Sequence, residues 1–371
     1  MRKIFLITER RADYSRFQPI LNLIESDPHL DYDLVVTGLH LKQENGYTID
    51  EIKADGFKIF STFEMFLESE DSGGAMVRAY AKAVKMVTYE LEKSKPDLIL
   101  SGFDIAANAA VTLAGAHMNI PVAHIQGGEV TGTIDESIRH AMSKFAHYHF
   151  AANKDACDRL VKMGEIPEHV FNVGCPSIDA ILAVDDNQDV VEKFGLSMPY
   201  FLLIQHPVTS EINKSNKQIE ITLEAIEQSS INALIILPNN DAGYSSIVKK
   251  IKNSNVKSVE TLSIDDYVNL LRHSSGLIGN SSSGIHEAAS FNVPVVNVGT
   301  RQQGRLRPKN VIDVGHDVKE IVSAIRQCEK IKKAETTFEN PYGDGKSSTR
   351  IVELLKSLDI GDNIIQKRIT Y

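Results

Sequence analysis

Residues 97–128 read DLILSGFDIAANAAVTLAGAHMNIPVAHIQGG. A short apolar run, Asp97–Ser101, ends in a glycine turn and gives way to an alanine-rich stretch of helical period, Ile105–His117. A second apolar run, Pro121–Ile125, closes on a Gly-Gly pair. Strand, helix and strand within about thirty residues is the βαβ unit, whose crossover forces the two strands to run parallel. Strands apolar at every position, with no alternation, belong to sheets covered by helices on both faces.

The same rhythm extends in both directions. Lys3–Thr8, Tyr32–Thr37 and Tyr148–Ala151 read as further strands of this first series, with helices at Tyr14–Ile24, Gly74–Ser94 and Glu136–Lys144. The pattern relaxes around Cys175-Pro176-Ser177. A second series then begins with Tyr200–Gln205 and continues through Ala233–Pro238, Val256–Glu260, Gly276–Gly279, Pro294–Val298 and Val311–Val314. The fold class predicted is α/β, with two successive Rossmann-like, doubly wound domains. A chain of 371 residues exceeds what one hydrophobic core supports, which agrees with two lobes. The predicted boundaries are 1–178 for the first domain and 179–346 for the second, with a C-terminal helical segment, 347–371, joining the first. Ligands of such sheets bind beyond the carboxyl ends of the strands, so the predicted active site lies in the cleft between domains.

Composition excludes several classes. A net charge of −9 offers no general attraction to nucleic acid or to an anionic membrane. No apolar stretch approaches the ~20 residues of a membrane span, and the run Ile4–Ile7 stops too soon at Thr8 for a signal peptide. Three scattered cysteines, Cys157, Cys175 and Cys328, without a CxxC pair, argue against zinc and against a disulfide framework, and point to a reducing cytoplasm. No GxGxxG occurs, so no dinucleotide cofactor is indicated. Gly345-Lys346-Ser347 lacks the upstream glycine and strand of a P-loop. His147 and His149 lack the helical frame of a metal site. No cofactor and no metal are predicted.

Chemistry is sought in the loops that leave the strands. Arg11, in Thr8-Glu9-Arg10-Arg11-Ala12-Asp13-Tyr14-Ser15, is placed to meet a phosphate, or is a solvated arginine in a capping turn. Asn280-Ser281-Ser282-Ser283-Gly284 follows a buried strand and opens a helix with Glu287 on its first turn. Such a turn suits a diphosphate, and Glu287 suits ribose hydroxyls; ordinary N-capping is the other reading. The loop Gly299–Arg307 carries Arg301, Arg305 and Arg307, a cationic group on an acidic protein or an exposed flexible loop. His206, in Gln205-His206-Pro207-Val208-Thr209, can donate to a phosphate oxygen.

The densest segment is residues 124–140, where Gly127-Gly128 is followed by Glu129, Asp135, Glu136, Arg139 and His140. Carboxylates gathered in a partly dry cleft are driven apart in pKa, yielding one acid and one base. Asp135 or Glu136 can instead cap the following helix. Asp104 follows the strand Asp97–Ser101 and His40 the strand Tyr32–Thr37; each alone can equally be structural, but with Glu129 and Asp135 they form a carboxylate and imidazole cluster.

These motifs resemble, in order and over nearly the whole chain, the hydrolysing UDP-N-acetylglucosamine 2-epimerases of sialic acid and legionaminic acid biosynthesis. The resemblance rests on Arg11–Ser15, Gly127-Gly128-Glu129, Thr133–Ala141, Gln205–Thr209, Pro238–Gly243, Gly279–Gly284 and Gly299–Gln302. It implies a GT-B-like pair of domains, a homodimer or homotetramer, and a UDP-2-acetamido sugar as substrate. The implied reaction eliminates UDP to a 2-acetamidoglycal and hydrates it to the free manno-configured sugar. Asp104, Glu129 and Asp135 would be the acid/base set, with His40 nearby. Arg11, Ser15, His206, Ser281, Ser282, Glu287 and Arg301 would hold UDP. Two positions depart from the family pattern: Ile105 where an arginine is common, and Gln126 where Glu or His is frequent. Both touch the sugar half, which suits an altered sugar such as a 2,4-diacetamido-2,4,6-trideoxy hexose. A GT-B glycosyltransferase, a non-hydrolysing epimerase and an inactive UDP-sugar sensor are the competing readings.

Overall fold

In the computed structural model, which describes residues 1–43, 46–66, 72–239 and 241–370, the apolar runs become two wholly parallel sheets. The first contains β1 (Arg2–Thr8), β2 (Leu30–Thr37), β3 (Ile59–Phe63), β4 (Leu98–Gly102), β5 (Val122–Ile125), β6 (Tyr148–Ala151) and β7 (Val170–Asn172), in the order β3-β2-β1-β4-β5-β6-β7. The second contains β8 (Tyr200–Ile204), β9 (Asn232–Ile236), β10 (Lys257–Val259), β11 (Gly276–Gly279), β12 (Val295–Val298) and β13 (Val311–Val314), in the order β10-β9-β8-β11-β12-β13. Each is the doubly wound order in which the third, second and first strands are followed by the fourth onward.

The continuous apolar runs are explained by burial on both faces. Along β1, Ile4 and Leu6 face helix Arg11–Glu25, with Phe17, Ile20 and Leu21 beneath them, and helix Ser347–Ser357, with Ile351 and Leu355. Phe5 and Ile7 face the opposite way, onto Ala83 and Val87 of helix Gly73–Ser94 and onto Val111 of helix Ala106–His117. The second sheet repeats this: Phe201 and Leu203 of β8 join Ile219, Ile247 and Ile321 on one face, while Tyr200 and Leu202 join Leu270 and Leu271 on the other. Each fully buried side chain of this kind contributes roughly 1.5–3 kcal/mol.

The chain divides into two compact units, residues 1–129, 135–180 and 342–371, and residues 130–134 and 181–341. Two edge strands, β3 and β7, were absent from the sequence pattern. β3 alternates exposed and half-buried residues, and β7 has three residues with none fully buried, so neither makes an unbroken apolar run. Asn240, within the Pro238–Gly243 motif, lies outside the described residues.

Candidate active site

Strand order reverses between β1 and β4 in the first sheet and between β8 and β11 in the second. At such a switch point the loops leave in opposite directions and open a crevice at the carboxyl ends. The candidate residues sit on the loops that follow these strands and their neighbours.

In the first unit, β4 exits through Phe103 and Asp104, both in the left-handed region with φ of 72° and 50°. Non-glycine residues reach this conformation at a cost of roughly 1–2 kcal/mol each. The turn is held by Asn108, whose side-chain oxygen accepts the Gly102 N–H at 3.0 Å, and by the Phe103 ring, edge-on to Phe17 and covered by the Arg16 guanidinium. Its effect is to direct the Asp104 carboxylate onto the Arg139 guanidinium, an ion pair in which the arginine is buried. Arg139 also donates from Nη1 to the Glu129 carbonyl at 2.9 Å.

The loop after β5 is equally constrained. Gln126 and Gly128 have φ of 59° and 79°, and a Cβ at Gly128 would stand 2.4 Å from the Ala156 carbonyl. Only glycine fits. Glu129 follows, buried, with the Gln126 amide 3.4 Å from its Oε1. Asp104 and the Glu129 loop thus meet at one buried cation. Asp135, half-buried, lies in the first turn of helix Ile134–Phe145, where a carboxylate is favoured by the free N–H groups.

The remaining first-unit candidates are engaged elsewhere. His40 is fully buried, with Nε2 3.0 Å from the Thr8 hydroxyl and Nδ1 2.6 Å from that of Thr48. Burial holds its imidazole down to about 3, so it is neutral at pH 7. With both nitrogens in contact with hydroxyls, it braces β1 against the loop after β2. Arg11 is ion-paired with Glu51, and the Ser15 hydroxyl bonds back to the Ala12 carbonyl at 3.3 Å.

In the second unit, Asn280 ties the two switch-point loops together. Its Oδ1 accepts the His206 N–H at 2.7 Å and its Nδ2 donates to the His206 carbonyl at 2.9 Å. The His206 Nδ1 accepts the Asn239 N–H at 3.2 Å, which puts the ring proton on Nε2. Asn280 stands on Gly279, whose φ of 120° and 2.1 Å approach of a hypothetical Cβ to the Ile204 carbonyl admit no side chain. The Asn280 carbonyl accepts from Arg301 Nη1 at 3.2 Å and Gln302 Nε2 at 2.8 Å. Arg301 is further balanced by Asp241 at 3.8 Å.

The arginine loop is pinned rather than loose: the Gly132 N–H donates to the Arg301 carbonyl at 3.0 Å, and Arg305 Nε donates to the Val130 carbonyl at 3.1 Å. Arg307 is spent on Asp313. Arg301 bonds the serine-turn loop at the Asn280 carbonyl. Ser281 and Ser282 are half-buried at the start of Ser283–His286, a single helical turn. Glu287 therefore closes that turn instead of opening a helix, contrary to the expected placement. So short a turn carries little dipole. The Tyr267 hydroxyl meets Ser283, while burial first, and the Glu287 carboxylate second, hold its phenol far above 10.

A family model described as UDP-N-acetylglucosamine 2-epimerase matches residues 22–356. The chain belongs to this family. A UDP-N,N'-diacetylbacillosamine 2-epimerase (hydrolyzing) of Legionella pneumophila is 36% identical over 375 residues, covering 99% of both chains. A UDP-N-acetylglucosamine 2-epimerase of Neisseria meningitidis is 32% identical, covering 99% of this chain and 98% of that one. The fold is shared with the Methanocaldococcus jannaschii UDP-GlcNAc 2-epimerase crystallised with UDP-GlcNAc and UDP, at a TM-score of 0.81 and 21% identity over 95% of this chain and 99% of that one.

Several residues that position the candidate loops were missing from the sequence-derived set: Arg139 in the first unit and Asn280, Gln302 and Tyr267 in the second. Arg139 had a signal, since it falls four residues after Asp135 and shares its helix face. Asn280 and Tyr267 reveal themselves only through partners far along the chain. Among the described residues no group of three or more acidic, histidine or cysteine side chains is arranged to hold a metal, and no helix is long and apolar enough to cross a membrane.

Proposed function

We propose that this chain is a hydrolysing 2-epimerase of UDP-2-acetamido sugars, converting substrate and water into UDP and the free C2-inverted sugar. The observation that carries the reading is the convergence of Asp104 and the Glu129 loop on buried Arg139. The C2 proton is weakly acidic, so its removal needs a fixed carboxylate and a stabilised leaving group. The ion pair to Arg139 fixes the Asp104 carboxylate in place. Glu129, buried with the Gln126 amide beside its Oε1, is the second member of the acid/base set. Asp135 is the third member of this set.

In the first step the C2–H bond breaks toward the carboxylate as the C1–O bond to UDP breaks, leaving a 2-acetamidoglycal. In the second, water adds its oxygen to C1 and a proton returns to C2 on the opposite face. Departing diphosphate is stabilised by the donors of the second unit: Ser281, Ser282, His206 Nε2 and Arg301. Arg11 joins them only by exchanging Glu51 for phosphate, and Glu287 holds Tyr267 and the serine turn in place.

For the sugar, a 2,4-diacetamido-2,4,6-trideoxy hexose is favoured over N-acetylglucosamine by two positions. Ile105 puts a buried apolar side chain directly after Asp104 where the family commonly has arginine, and Gln126 replaces an ionisable residue. A sugar with fewer hydroxyls suits both. The Legionella relative that acts, by its name, on such a sugar is among the most similar proteins.

The test is to incubate the protein with a panel of UDP-sugars and no acceptor. Free UDP with an equimolar C2-inverted free sugar is the predicted outcome. A product that retains its nucleotide indicates the non-hydrolysing reaction, and a requirement for an acceptor indicates a glycosyltransferase.

A further inference from the structure

Helix Ile134–Phe145 carries Arg139, and its C-terminal end has no glycine cap: Phe145 is followed by Ala146 and His147. The last carbonyls of a helix lack intrahelical partners and must find donors elsewhere. Here the donor comes from the far end of the chain. Lys367 Nζ donates to the carbonyls of Ser143 and Ala146, each at 2.6 Å, and of Lys144 at 3.2 Å. The same ammonium is ion-paired with Glu165, whose side chain is wholly buried.

Glu165 gathers two more partners, Lys144 Nζ at 2.7 Å and His149 Nε2 at 2.9 Å. Burial opposes its ionisation, but these neighbours outweigh burial and hold its carboxyl down to about 2. Burial also pulls Lys367 down to about 8, which leaves it protonated at neutral pH. The tail is fastened on either side of Lys367. The Thr370 N–H donates to the Gly164 carbonyl at 3.0 Å, its hydroxyl to the Glu165 carbonyl at 3.1 Å, and the Ile365 carbonyl lies 3.3 Å from His147 Nε2.

From the capped end to the site is one helical turn. The Ser143 hydroxyl donates to the Arg139 carbonyl at 3.1 Å and meets His124 Nδ1, on β5, also at 3.1 Å. A cation at a helix C-terminus stabilises that end, and the Glu165 pair prevents it from swinging into solvent. We infer that Lys367 is a positioning residue of the reaction: the C-terminal tail, through its ammonium, fixes the helix that aims Arg139 at Asp104 and the Glu129 loop. This rests on the function proposed above.

The test compares Lys367→Met and Lys367→Arg in the full-length chain. Three quantities are read: turnover of the UDP-sugar that wild type accepts, UDP affinity by calorimetry, and amide hydrogen exchange over residues 139–146. In Lys367→Met, turnover is predicted to fall about tenfold or more, UDP affinity to stay within about twofold, and exchange over 139–146 to accelerate. Lys367→Arg keeps the charge and is predicted to restore at least part of turnover and protection. Unchanged turnover in Lys367→Met, or a parallel loss of turnover and UDP affinity, overturns the inference. If wild type turns over none of the UDP-sugars, the proposed reaction fails, and exchange then decides on the clamp: unaltered rates over 139–146 refute it and faster rates uphold it.

Discussion

The two units share one strand order and place their candidate residues on equivalent loops, yet they secure them by opposite means. In the first unit the loops after β4 and β5 pass through left-handed residues, Phe103, Asp104 and Gln126, and close on the ion pair of Asp104 with the buried Arg139. In the second, the loops after β8 and β11 are joined by paired amide hydrogen bonds between Asn280 and the His206 backbone, with Arg301 bonded to the Asn280 carbonyl and 3.8 Å from Asp241. Strain and a desolvated charge are costly and orient a reacting group within a fraction of an ångström. Neutral bonds fix a loop at little electrostatic cost. Under the proposed function, this contrast assigns chemistry to the first unit and reversible binding to the second.

The largest effect that would break or sharpen this division lies in the carboxylates. Asp104→Asn and Glu129→Gln are each expected to lower turnover by roughly 10²–10⁴-fold. UDP affinity, measured by calorimetry on the same preparations, should change little. Unimpaired turnover in both variants would erase the distinction. Next comes Arg301→Ala, where loss of a charge-assisted contact worth about 1.5–3 kcal/mol should weaken UDP binding by roughly 10–150-fold. Its turnover at saturation should suffer far less, and a pure turnover defect would reverse the assignment.

How much of this division was legible beforehand follows from where each signal resides. Strands buried on both faces announce themselves as unbroken apolar runs, so β1, β4, β5, β8 and β11, whose exits carry most of the candidates, stood out. β3 and β7 did not, because half-exposed edge strands blur that pattern. The loops were legible as strand exits crowded with small and charged residues. Their pairings were not: Arg139 with Asp104, Glu51 with Arg11 and Lys367 with the end of helix Ile134–Phe145 join residues brought together only by the finished fold. His40 is another case: its contacts with the Thr8 and Thr48 hydroxyls form only in the fold.

Buried histidines in the first unit give a smaller, pH-dependent effect. Burial holds His40 and His124 down to about 3, and His149, despite Glu165, to about 4. Unfolded histidines take up a proton near pH 6.5 while these resist it, so stability present above pH 6.5 is lost as the pH falls toward 3–4. The slope is up to about 1.4 kcal/mol per pH unit for each histidine. Calorimetric melting should therefore shift downward steadily between pH 6.5 and 4.5, and a flat midpoint across that range would contradict their burial as neutral groups. The smallest effect belongs to Tyr267→Phe in the second unit. Loss of its contact with Ser283 and Glu287 removes about 1 kcal/mol, or roughly fivefold in UDP affinity, with turnover at saturation maintained. A larger loss of turnover than of affinity would move Tyr267 into the reacting group.

The account stands most directly on the fate of the proton at C2. Turnover in deuterated water, followed by proton NMR of the products, should yield a free, C2-inverted sugar with one deuterium at C2 and one UDP for each sugar released. Free sugar that retains its original proton at C2 would contradict it, because no carboxylate would then have exchanged that position.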